Sequence, residues 1–293
     1  MNASAASSCR VVVADYNRPL TVRKIAAMIP PDCSLHIIAK GRQGCQQHCQ
    51  NPSTCSCETH QNLGDDAGAV MRYVWKHYDT LPETLVFMPS SEKWMRLSLL
   101  QSMLAERHVS NAFRCIPMYI WLPHLAKWMI DRYVHRSDSR QHVNNVGNLT
   151  LASPRQLGRW LKHHARFSSN DLAVPACGHL LFMTSRARLR ERPRAMYARL
   201  TAELEKGVHT EAVHYVERAV GAIFAGKRRW WNVVCNGEPL CGSLVGERGI
   251  LGWRQNLSIG IPKTECAATR ELQCRSPTSR ASSETSAWRS CWC

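Results

Sequence analysis

The apolar positions of this chain change period as it advances, and each change marks an element. Arg10 to Tyr16 contains the β-branched run Val11-Val12-Val13, the composition a fully buried strand requires. Asn17 and Arg18 follow, then Pro19, whose fixed φ suits the first turn of a helix reaching Met28. Ser34 to Ala39 predicts a second strand. Residues 41–61 are polar, rich in Cys and Gln and without an apolar period, and predict a loop. From Gly64 to Tyr78 the period becomes helical: Ala67, Val70, Met71, Val74, Trp75 and Tyr78 fall on one stripe. Asn62 suits the cap of that helix and Asp65 its dipole. Thr84 to Met88 predicts a third strand, and Glu92 to Arg107 another helix. This alternation predicts crossover connections and a mostly parallel sheet covered on both faces, the plan of a three-layer α/β domain.

Further along, Trp121 to Val134 predicts a helix, Asp138 to Leu151 a loop, and Pro154 to Arg166 a basic helix. His179 to Thr184 predicts a strand, followed by a helix over Ser185 to Lys206 that Pro193 should split. Thr210 to Ala225 predicts a last amphipathic helix, with Val213, Val216, Val220, Ile223 and Phe224 on one side and Gly226 ending it. The domain is therefore expected over residues 10–226. It is flanked by an N-terminus without order (residues 1–9) and a low-order basic tail (residues 227–293) of scattered Gly, Ser, Thr and Arg.

Composition changes this picture in two ways. The formal net charge of +16 points to acidic partners: a phosphorylated small molecule, nucleic acid or an anionic surface. The 14 cysteines include Cys45, Cys49, Cys55 and Cys57, which with His48 and His60 offer enough ligands for zinc. Their spacing lacks paired CxxC knuckles, so disulfides are the competing expectation. No apolar stretch reaches membrane-spanning length. Met1 to Ser8 has no leader character, which predicts the cytoplasm for a chain starting there and the secretory lumen for one preceded by a leader. Oligomeric state is open. GxSxG, GxxxxGK[ST], HExxH and GxGxxG patterns are lacking, which removes several enzyme classes.

Four segments in order carry a resemblance. Val11-Val-Val-Ala-Asp-Tyr-Asn17 comes first, then Asn62-Leu-Gly-Asp-Asp66 leading through Tyr78-Asp79 to Leu85-Val-Phe87. Gly178 to Pro193 follows, and then Tyr215-Val-Glu-Arg-Ala-Val-Gly-Ala-Ile-Phe224. Over residues 10–226 the chain resembles domain-of-unknown-function family 3431, whose layout is similar to the single-Rossmann-like fold of nucleotide-sugar glycosyltransferases. The resemblance implies a glycosyltransferase-like enzyme with a nucleotide-sugar donor and a divalent metal ion. The chain departs from it after the third strand, where Pro89-Ser90-Ser91 replaces an acid-bearing turn and Glu92 is the nearest carboxylate.

Candidate site residues follow. Asn17 ends the first strand, where open α/β sheets bind ligands, and its amide suits a base or ribose; a turn before Pro19 would use it equally. The turn from Asn62 through Gly64 to Asp66 is expected beside the donor diphosphate. Asp66 suits a ribose hydroxyl or metal-bound water, or the dipole of its own helix. Glu217 lies on the flank of the closing helix's apolar arc, a position for a general base or for an ion pair with an arginine. Glu211 and Arg218 should point away from that arc. Arg186, Arg188, Arg190, Arg192 and Arg194 suit a diphosphate, a nucleic-acid backbone or a solvated helix face. The alternative to an enzyme is a non-catalytic binding protein of the same fold with a basic, polyanion-binding surface.

Overall fold

The computed structural model describes residues 8–41, 45, 49, 53–90, 94–109, 113–130, 149–168, 170–172 and 174–225. The expected tail at residues 227–293, the helix stop at Gly226, His48 and Glu92 lie outside these.

The β-branched run forms strand β1 (Cys9–Asp15), and Pro19 opens helix α1 (Pro19–Ala26). Strand β2 (Cys33–Ala39) and helix α2 (Asp65–Lys76) follow as the periods predict. Strand β4 (Thr84–Pro89) and helix α3 (Trp94–Ala105) come next. Between β2 and α2 the expected loop is corrected: Cys55–Thr59 forms an edge strand, β3, pairing in parallel with β2. Its residues are polar and only partly buried, so they leave no apolar signature.

The middle of the chain departs furthest from expectation. Arg114–Trp121 is a strand, β5, continued by a 3-10 turn at Leu122–Leu125. The anticipated helix at 121–134 is absent as far as residue 130. The basic helix at 154–166 is a short turn, α4 (Leu157–Trp160), widened into a π-helical turn at Leu161–Ala165. Strand β6 (Pro175–Ser185) then leads into α5 (Arg186–Arg190) and α6 (Arg194–Leu204), divided at Pro193 as expected. Helix α7 (Glu211–Phe224) closes the fold, its first turn capped by the Thr210 side chain accepting from the Val213 N–H.

Six strands form one sheet in the order β3-β2-β1-β4-β6-β5. The first four are parallel and only β6 is reversed, antiparallel to both β4 and β5, so three of the five pairings are parallel and the sheet is mostly parallel as expected. Val11, Val13, Ile37 and Met88 pack with Val22 and Ile25 of α1 and with Leu100, Met103 and Leu104 of α3. The opposite face carries an aromatic stack, Phe87 to Phe182 at 4.9 Å and Phe182 to Phe224 at 4.5 Å, which seats α7 on β4 and β6. Both faces are covered, so the strands can be apolar on both sides.

Candidate functional site

The chain runs β1 to β2 to β3 in one direction and returns on the other side of β1 as β4. In open α/β sheets, the carboxyl ends beside such a reversal leave a crevice where ligands bind. Here that edge is built from Asp15 to Asn17, Lys40-Gly41 and Ser90. The backbone is stitched tightly: Lys40 N–H donates to Asp15 O at 2.8 Å and Ser90 N–H to Ala14 O at 2.9 Å. The buried Asp15 carboxylate accepts from the Arg18 N–H at 3.1 Å and so turns the chain into α1.

That turn holds Asn17 at φ 53°, a left-handed conformation that asparagine tolerates better than most residues. Gly41 faces it so closely that a Cβ there would stand 1.9 Å from Asn17 Oδ1. Asn17 is therefore both a turn residue and an exposed group on the crevice wall. Beside it Tyr16 is 54% and Leu20 67% exposed, an aromatic and an apolar side chain left in solvent at the carboxyl edge of the sheet. Arg18 is exposed there too.

Asp66, in the first turn of α2, is met by Lys40. The Lys40 ammonium, on a side chain only 4% exposed, lies 2.5 Å from Asp66 Oδ1. The pair fixes the carboxylate at the crevice, and a buried ammonium needs such a partner. Asn62 is not the helix cap: that position belongs to Gly64, at φ 66°, whose N–H donates to Gly207 O at 2.9 Å. Gly64 is required by its conformation and by its closeness to Leu204, not as a ligand. Asn62 Oδ1 is instead buried without a hydrogen-bond partner.

A divalent ion in this crevice would need a carboxylate beyond β4. The described residues there, Pro89 and Ser90, supply none, and Asp15 and Asp66 are engaged by Arg18 and Lys40. These residues do not fit the ion that the family resemblance implies.

Along α7, Glu217 keeps its expected half-buried flank position, whereas Glu211, expected to point away, does not. Glu211 is fully buried; it accepts from the N–H groups of Ile130 (2.9 Å) and Ala152 (3.1 Å) and is paired with Arg155. The segments around Ile130 and Ala152 cover the start of α7, so a helical wheel drawn from α7 alone misplaces this residue. Glu217 is half-buried, 3.2 Å from His214 Nδ1 and 3.9 Å from Arg218, whose guanidinium lies over Trp128. Thr184 Oγ1 donates to Phe224 O, which ties the far end of α7 to the strand end paired with the start of β4. Glu217 thus sits two turns inside α7, roughly 10 Å along its axis from each end. Its ion pair with an arginine is the bland alternative made real.

The eight described cysteines form disulfides: Cys45–Cys57, Cys49–Cys55, Cys9–Cys33 and Cys115–Cys177. Of the two expectations for Cys45, Cys49, Cys55 and Cys57, the disulfides are therefore found and not the zinc site, as two crosslinks from Cys45 and Cys49 to β3. The arginine run is split: Arg190 and Arg194 are exposed, Arg186 is partly so, and Arg188 and Arg192 are buried. Arg190 donates to Tyr78 O and Asp79 O, Arg194 to Trp75 O, and Arg186 to Leu81 O. Arg188 and Arg192, both buried, donate to Ala225 O and Ala222 O at the end of α7. Alternate spacing sends the guanidiniums in different directions, and each finds a carbonyl.

The fold and edge geometry define a mixed α/β protein with a six-stranded sheet. Among solved structures the chain is similar to S. aureus TarS 1-349, at a TM-score of 0.31 and 11% identity. The match covers 69% of this chain and 57% of that one. No protein-family profile and no curated protein matches the chain.

Proposed function

We propose that this chain is a glycosyltransferase-like, nucleotide-binding protein, with its donor nucleoside in the crevice between the carboxyl ends of β1 and β4. The observation that carries the reading is the pair of buried Lys40 with partly exposed Asp66, joined through Gly41 to the exposed Tyr16-Asn17-Arg18 turn at the reversal of strand order. Tyr16 offers a face on which a base stacks. Asp66, fixed by Lys40, accepts from ribose hydroxyls, and the Asn17 amide reads the base or a hydroxyl. Arg18 supplies the charge that a diphosphate needs. Because the described edge does not fit a divalent ion, the binding is independent of added metal. The family resemblance of the four sequence segments supports a nucleotide sugar as the ligand class.

Four disulfides within the domain support an oxidising compartment, since such bonds do not persist in a reducing cytosol. Among the described residues no helix is long and apolar enough to cross a membrane.

Calorimetric titration of the oxidised full chain with uridine and guanosine diphosphates, in EDTA and in manganese, tests the proposal. One of the two binds with an affinity unaffected by EDTA, and Asp66→Asn weakens it about tenfold, the equivalent of one charge-assisted bond. If neither nucleotide binds at millimolar concentration, the proposal fails.

A further inference from the structure

On the other side of α2 from the crevice edge, the fold gathers polar atoms that nothing described so far uses. His36 projects from β2, Glu58 from β3, and His77 caps the C-terminal end of α2. One ring nitrogen each of His36 and His77 and a Glu58 carboxylate oxygen lie within 4.8 Å of one another. His36 is only 5% exposed. His36 Nε2 and His77 Nε2 are both buried and without a hydrogen-bond partner.

His36 Nδ1 is 2.8 Å from Ser56 Oγ, and in the tautomer whose Nδ1–H donates to that hydroxyl the Nε2 lone pair faces inward. The two lone-pair atoms His36 Nε2 and Glu58 Oε1 then face each other at 3.4 Å. Two acceptors buried at that distance repel unless a cation lies between them. The separation is also that of two donors on one tetrahedral ion, about 3.4 Å for bonds of about 2.1 Å.

His60 plays a different part. Its Nδ1 accepts from Arg72 Nη1 at 2.7 Å, and a guanidinium has only donors, so the proton of His60 is on Nε2. That Nε2–H points at Glu58 Oε1 from 3.0 Å and orients the carboxylate. Lys76 Nζ holds the other oxygen at 3.5 Å. The ring of Tyr73 packs against both histidines, with centroids 4.9 Å from His36 and 4.6 Å from His77, whose own centroids are 5.6 Å apart.

We infer that His36, Glu58 and His77 form a binding site for one divalent transition-metal ion, zinc foremost. Ser56 and His60 serve as the positioning partners of its ligands. Two imidazoles and one carboxylate suit a borderline first-row cation and leave a fourth position for water. Such an ion ties the end of α2 to the edge strands β2 and β3. Unlike a zinc site on the cysteine cluster, it needs no thiolate and so is compatible with the disulfides. The competing occupant is a proton shared between His36 and Glu58.

The test uses the oxidised full chain, stripped with EDTA and then reconstituted. Elemental analysis is expected to return about one equivalent of zinc, and cobalt(II) to give the visible absorption of a tetrahedral N/O site. His77→Ala, at a half-exposed position, removes the equivalent and the cobalt band. Ser56→Ala weakens zinc binding about 10- to 100-fold, as loss of a ligand's orienting partner does. The inference is overturned by less than about a tenth of an equivalent of zinc in the folded wild type. It is equally overturned by full zinc retention in His77→Ala. Should His77→Ala fail to fold, His77→Gln and Ser56→Ala read the same two quantities.

Discussion

Replacing Glu211 with glutamine removes a charge from the junction where the closing helix meets the segments around Ile130 and Ala152. The carboxylate has no exposed surface and accepts from two backbone N–H groups and from Arg155 Nε and Nη2, the last two at 3.1 Å. Glutamine keeps the shape but loses the charge, and it turns an NH₂ donor toward groups that also donate. Removing one partner of a buried pair costs about 3–5 kcal/mol. Arg155 keeps its bond to Ile130 O and about a third of its side chain is exposed, so the lower end, about 3 kcal/mol, applies here. For a folded unit of this size that lowers Tm by roughly 6–12 °C. Scanning calorimetry of the oxidised protein at pH 7 measures it, and a drop below about 2 °C would refute the reasoning. The pH dependence adds a signature. Burial raises the carboxyl, but Arg155 and the two N–H groups more than offset it, so its folded pKa lies below that of an ordinary glutamate. A depressed carboxyl contributes stability above its unfolded pKa and loses it as pH falls through the folded one. The gap between wild type and Glu211→Gln should therefore narrow on acidification below about pH 4.5.

Other expectations are as direct. Gly41→Ala drives a Cβ into the Asn17 amide and should weaken nucleoside diphosphate binding about tenfold in calorimetric titration, a cost near 1.4 kcal/mol. Arg192→Met loses the bond to Ala222 O and the pair with Asp171; it should cost about 2 kcal/mol by denaturant melting and leave heparin retention unchanged. Removing Cys115–Cys177 by paired serine substitution opens a separation of 62 residues, and chain-entropy arithmetic gives a loss of about 4 kcal/mol in the same assay. Glu217→Gln breaks a partly exposed pair and should alter stability by less than about 1 kcal/mol while leaving nucleotide affinity unchanged.

Where local period decides an element, the sequence is a sufficient guide. Val11 to Val13, the stripe from Ala67 to Val74 and the break at Pro193 all appear where expected. Where an element is made by its neighbours, the sequence is silent. Cys55 to Thr59 is a strand because β2 offers a free edge and two disulfides hold the segment there. Glu211 is buried because residues distant in the chain cover it. The crevice was partly legible, since Asn17 and Asp66 follow from strand ends and helix starts. Lys40 was missed because a single lysine after a strand carries no signal until the fold shows it paired with Asp66. His60 drew notice beside the cysteines, but His36 and His77 stand 41 positions apart, and only the packing of α2 on β2 unites them.

The tethering of the arginine run has a consequence for how the native protein meets proteases. Between Arg186 and Arg194 the chain offers a dense series of basic cleavage sites, yet that backbone is helical and moored by its own side chains to the ends of α2 and α7. Trypsin needs an extended stretch to act, so in the folded protein this most cleavable-looking region should be among the last to be cut. Its first nick would then report that the two helix ends have come apart.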